Sequence, residues 1–72
     1  MTFVELLHLA TFNHGTACNK DFMVTIAPHD CFLLCNADTE LLAIVSGDSC
    51  VSFCWPDTAT AFLNAVNEFK NL

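Results

Sequence analysis

From Cys31 to Trp55 the chain reads CFLLCNADTELLAIVSGDSCVSFCW. Three short apolar runs, Cys31 to Asn36, Glu40 to Ser46 and Cys50 to Trp55, are separated by Asn36-Ala37-Asp38-Thr39 and Ser46-Gly47-Asp48-Ser49. Runs of this length, rich in β-branched and aromatic residues and broken by turn-formers, read as strands joined by tight hairpins. Gly47 at the first central position of its turn suits the type II′ geometry that matches strand twist. Upstream, Phe22, Val24 and Ile26 alternate with Met23, Thr25 and Ala27 until Pro28, adding a fourth strand that the proline terminates. The stretch predicts an antiparallel meander.

Outward from the meander the period changes. Thr2 to Glu5 matches a capping box, in which hydroxyl and carboxylate satisfy the free donors of a helix start. Phe3, Leu6, Leu7 and Ala10 then recur on one helical stripe, and Asn13-His14-Gly15 supplies a stop. A helix over 3–12 follows, although Val4, Leu6 and His8 also alternate as a strand would. After the meander, Pro56 and Asp57 open a second helix whose stripe is Ala59, Phe62, Leu63, Val66 and Phe69, with Asp57 as its expected cap. The expected fold is a single α+β domain, a two-layer sandwich with a four-stranded meander between an N-terminal and a C-terminal helix (α-β-β-β-β-α).

Two-residue loops at Ala37-Asp38 and Gly47-Asp48 would set Leu42 opposite Leu33 and Phe53, and Ile44 opposite Val51, with Trp55 on the same side. This large-residue face is expected to carry both helices. Phe32, Leu34, Leu41, Ala43 and Val45, with Cys50, Ser52 and Cys54, fall on the other face, which is also mostly apolar. A solvated face should alternate polar outward, so a twin subunit or another protein is expected to cover this one. One helix on each side is the competing arrangement. At 72 residues the chain buries only roughly 60% of its unfolded surface, which also favours a partner.

Five cysteines are present, among them Cys31, Cys35, Cys50 and Cys54 in two C-x3-C pairs. On strands, residues four apart are separated by roughly 13 Å, too far for one metal or one disulfide. Packing as small buried hydrophobes is the preferred reading of these cysteines. If the segments were helical, the four would become a zinc set or a thiol-redox site, with His14 and His29 as spare ligands. His29-Asp30-Cys31 resembles a nucleophile and its base only on paper, because neighbours on a strand point opposite ways. Phosphate loops, metalloprotease helices and nucleophile elbows are lacking from the sequence. Neither an enzymatic activity nor a cofactor is expected.

Eight acidic residues against two lysines give a formal charge of −6, which leaves little to neutralise a phosphate backbone and argues against direct nucleic-acid binding. In a meander the turns alternate between two ends, so Asp21, Asp38, Glu40 and Asp57 gather on one rim and Asp30 and Asp48 on the other. Such a rim is either the solubility device of a greasy chain or a phosphate mimic that meets the basic, nucleic-acid-binding surface of another protein. In size, acidity and lack of catalytic motifs the chain resembles the small inhibitory proteins that phages and mobile elements direct at host machinery, anti-CRISPR proteins among them. That is a resemblance of type, and it carries no residues across. It implies a non-enzymatic inhibitor or regulator acting as a homodimer or within a complex. Met1 to Ala10 hold no Lys or Arg, and the longest apolar run, Leu41 to Val45, is far short of a membrane span. A cytoplasmic location with reduced thiols, away from membranes, is expected.

Overall fold

The computed structural model describes residues 2–72 and places two helices against one face of a five-stranded sheet. In chain order the elements are α1 (Phe3–Phe12), β1 (Thr16–Cys18), β2 (Phe22–Ala27), β3 (Cys31–Asn36), β4 (Leu41–Ser46), β5 (Ser49–Ser52) and α2 (Pro56–Lys70). All strand pairs are antiparallel and the spatial order is β1-β2-β3-β4-β5. The α+β class therefore holds with one strand more than the sequence pattern indicated. Among the described residues no helix is long and apolar enough to cross a membrane.

α1 begins with the expected capping box: the Thr2 hydroxyl accepts from the Glu5 N–H at 3.2 Å, and the Thr2 N–H donates to the Glu5 carboxylate at 3.3 Å. It ends in a Schellman arrangement, with the Gly15 N–H on the Ala10 carbonyl (2.7 Å) and the His14 N–H on that of Thr11 (3.2 Å). His14, at φ +62°, takes the left-handed position of this cap, and Gly15 follows at φ +126°. The turn delivers the chain into β1, the strand with no periodic signal of its own. Its three residues pair with β2 as Thr16↔Thr25, Ala17↔Val24 and Cys18↔Met23.

The Gly47-Asp48 hairpin has the expected two-residue loop, with Gly47 at φ +60°. The β3–β4 loop has three residues instead of two: Thr39 donates to the Asn36 carbonyl (3.0 Å), Asn36 donates to that of Glu40 (2.9 Å), and Thr39 sits at φ +63°. This is a type I turn followed by a left-handed residue, the usual three-residue hairpin. A bulge then leaves Leu42 without a partner between the Leu34↔Ala43 and Cys35↔Leu41 pairs. The extra loop residue and the bulged residue together shift the register by two. Leu33, Ile44 and Val51 consequently still share a face as expected, while Leu41 and Leu42 exchange sides. The last strand stops at Ser52, so Phe53, Cys54 and Trp55 form the connection to α2. Trp55 is the N-cap residue of α2 and makes no side-chain cap bond; Pro56 opens the helix and Asp57 lies inside its first turn, where a carboxylate favours the helix dipole without capping it.

The core lies on the face expected to be free. Val24, Phe32, Leu34, Ala43 and Val45 are buried with Leu6, Leu7 and Ala10 of α1 and Ala59, Phe62 and Val66 of α2. α1 packs over β1 and β2, α2 packs over β4 and β5, and the two helices touch each other. The correction has a physical basis in β2. Its large apolar residues, Phe22, Val24 and Ile26, pair with Asn36, Leu34 and Phe32 of β3, so the row to be covered runs through Leu34 and Phe32. Weighing β3 to β5 alone favours the wrong side. Ala17 and Ala43, buried on this face, let helix backbones approach closely.

Candidate functional site

The face away from the helices is assembled from three cross-strand rows. Thr16, Thr25, Leu33, Ile44 and Val51 run across all five strands. Cys18, Met23, Cys35 and Leu41 form a second row, and Ala27, Cys31, Ser46 and Ser49 a third. None of these side chains is buried, and none carries a charge. Val51, the last residue of the first row, is 55% exposed, and Phe53 and Trp55, which follow β5, are 54% and 48% exposed. The surface is an uncharged sheet face with Met23, Leu33, Leu41, Ile44 and Val51 as its apolar part and Thr16, Thr25, Ser46 and Ser49 among them. Of the residues expected on a partner face, only Leu41 lies here; Phe32, Leu34, Ala43 and Val45 are in the core beneath the helices.

The acidic residues lie where alternation of turns puts them. Asp21 sits in the β1–β2 turn, Asp38 and Glu40 in the β3–β4 turn, and Asp57 at the start of α2, all at one end of the sheet. Glu5 joins them, because the first turn of α1 packs there through the edge-to-face contact of Phe3 with Phe22 (5.2 Å). Lys20, beside Asp21, places one positive charge at the same end. Asn36 organises the loop at this end: its side-chain oxygen accepts from the N–H groups of Asp38 (3.0 Å) and Glu40 (2.9 Å), and its amide donates to the Glu40 carboxylate (3.1 Å). Asp30, Asp48 and Glu68 lie at the other end with Lys70, whose ammonium donates to the Gly47 carbonyl (3.1 Å) over the Phe32 ring.

The sheet distributes the cysteines. Cys31 and Cys35 are on the open face, Cys50 pairs with Val45 on the helix side and donates to the Ala59 carbonyl (3.6 Å), and Cys54 follows β5. All five are free thiols, and none is buried, so they do not pack as the small buried hydrophobes the sequence led us to expect. Among the described residues no group of three or more His, Cys, Asp or Glu is placed to hold a metal ion. Burial pushes the Cys50 thiol above its ordinary value of 9.0. Cys54 is pushed up chiefly by its hydrogen bond to the Glu40 carboxylate (3.1 Å), with desolvation and the negative charge acting the same way. A thiol held protonated is a poor nucleophile. Because the folded-state values lie above the unfolded ones, the stability these thiols add is complete below pH 9.0 and is lost as pH rises beyond it. Replacing Glu40 by Gln is expected to accelerate alkylation of Cys54 near pH 8 several-fold and to leave the Cys18 rate unchanged, as peptide mass spectrometry would record.

A hollow of about 380 Å³ between the start of α1 and the β1–β2 turn is lined by Thr2, Phe3, Asn19, Lys20, Asp21 and Phe22. Asn19 already spends its side-chain oxygen on the Asp21 and Phe22 N–H groups, both at 2.8 Å. Among the described residues no buried side chain is polar or charged. No family model, curated protein or solved structure matches the chain, so its surfaces are interpreted from their own geometry.

Proposed function

We propose that this chain is a small non-enzymatic protein-binding module, an inhibitor or regulator of another protein, that works as part of an assembly. The observation that carries the reading is the open sheet face. Both helices pack on the opposite side, and the open rows carry no charge, with Leu33, Leu41, Ile44 and Val51 apolar beside Thr16 and Thr25. Extended apolar surface of this kind marks a protein contact in a water-soluble domain. Trp55, about half exposed just beyond β5, is of a residue type enriched among those that dominate binding energy.

The acidic end gives the module a direction. Asp21, Asp38, Glu40 and Asp57 outweigh Lys20 and would steer the domain toward a basic surface of the kind that otherwise meets nucleic acid. The test is affinity capture from native host extract at low and high salt, using wild type and the double variant Asp38→Asn, Glu40→Gln. The variant retains the bonds from the Asp38 and Glu40 N–H groups to the Asn36 side chain and one of the two side-chain acceptors at position 40. A partner retained at low salt, lost at high salt and depleted by the variant is the expected result, because the Debye length falls from about 10 Å at 0.1 M to about 3 Å at 1 M. Capture indifferent to both changes would leave the acids with a solubility role alone.

A further inference from the structure

We infer that the outer edge of β5 is a docking line for an extended segment of another protein, which joins the sheet there as a sixth strand. The inference rests on the protein-binding reading above and names the form in which the partner arrives. Hydrogen bonding between β4 and β5 sets the geometry. The two-residue Gly47-Asp48 loop closes the Ser46↔Ser49 pair, Val51 pairs with Ile44, and the Phe53 N–H donates to the Leu42 carbonyl (3.1 Å). Ser49, Val51 and Phe53 thus turn their backbone groups toward β4. In an antiparallel ladder the alternate residues point theirs the other way, so the N–H and C=O groups of Cys50 and Ser52 face outward. Among the described residues neither has a backbone partner beyond the sheet. Donors and acceptors in this spacing are what an extended backbone pairs with when it adds a strand.

Two further observations select this edge. Natural edges are blunted by charges, prolines or bulges, and Ser49–Ser52 contains none of these. Val51, Phe53 and Trp55, which follow one another along it, are also three of the five large apolar residues exposed among those described. The opposite edge, Thr16–Cys18, is shorter, and its central residue Ala17 is buried. An added strand sets one of its side chains beside Val51 in a non-hydrogen-bonded pair, where side chains approach most closely, and a β-branched apolar residue suits that place. Asp48 and Asp57 bracket the edge, so basic residues suit the ends of the segment.

The probe is the capped peptide acetyl-Lys-Thr-Val-Thr-Val-Thr-Lys-amide, titrated to about 1 mM against isotope-labelled protein. The amide signals of Cys50 and Ser52 should shift and their hydrogen exchange should slow. With a valine beside Val51, the threonine N–H groups face β5. N-methylation of the peptide's threonines should therefore abolish binding, and N-methylation of its valines should preserve it. Ser52→Pro removes an outward N–H that no sheet bond uses, so far-UV circular dichroism should be retained while binding weakens at least about tenfold. Cys50 and Ser52 amides unmoved by the peptide, or binding indifferent to threonine methylation or to Ser52→Pro, would overturn the inference. The same amides shifting as the protein alone is concentrated would overturn it too, by making a twin the occupant. Affinity capture separates this failure from failure of the broader reading. A host protein captured equally by wild type and Ser52→Pro keeps the protein-binding reading without this edge, whereas no capture by either removes the reading itself.

Discussion

Phe62→Ala is expected to remove most of the domain's stability. Phe62 is fully buried under the sheet-facing side of α2 and meets Phe3 edge-to-face at 5.7 Å; Phe3 in turn meets Phe22 at 5.2 Å. Phe62 therefore reaches β2 through the Phe3 ring of α1. Truncating a buried phenylalanine to alanine costs about 3–5 kcal/mol. A chain of this size has only about 4–11 kcal/mol to lose, at ~0.05–0.15 kcal/mol per residue. The thermal midpoint should fall by tens of degrees, since each kcal/mol shifts a small domain by about 4–8 °C. Urea titration followed by circular dichroism measures the change. A loss below about 1 kcal/mol, smaller than any fully buried ring should give, would mean that α2 does not pack as described.

Leu34→Lys and Leu33→Lys should differ far more than adjacent substitutions usually do. Leu34 is fully buried between Val24 and Ala43 beneath the helices, and an ammonium there has neither water nor a partner. The domain should fail to fold, because an unpaired buried charge costs several kcal/mol, comparable to the whole of its stability. Leu33 lies between Thr25 and Ile44 on the open face and is half-buried. Its lysine can extend into solvent, and the monomer's urea midpoint should move by no more than about 1 kcal/mol equivalent, in the range of ordinary surface changes. The reverse outcome would put the helices on the other face of the sheet.

Much of this architecture is legible in the residues, and the departures have identifiable causes. α1 occupies Phe3–Phe12 as its capping box and stripe predict, and α2 starts at Pro56. Three of the central strand boundaries follow from turn chemistry. β1 is invisible because Thr16-Ala17-Cys18 is too short to show a period and exists by pairing with β2. The two-face grouping of Phe32, Leu34, Ala43 and Val45 against Leu33, Ile44 and Val51 is also readable. It depends only on strand parity, and parity survives an extra loop residue plus a bulge. The side taken by the helices was decided by the alternation of Phe22, Val24 and Ile26 with Met23, Thr25 and Ala27, a signal present in the sequence but one strand upstream of the hairpins. Leu42 was not readable, because nothing in Leu41-Leu42-Ala43 tells which residue will bulge. The acidic end was legible since alternating turns require it, whereas the contribution of Glu5 depends on how α1 docks.

Methyl chemical shifts followed as the captured partner is added test the claim that the open face is the protein contact most directly. Leucine, isoleucine and valine methyls report on both sides of the sheet in one sample. On titration with that partner, the methyls of Leu33, Leu41, Ile44 and Val51 should shift together, while those of Leu34, Val45 and Val66 in the core stay in place. Shifts confined to the core set, or binding that leaves both sets in place, would contradict the account.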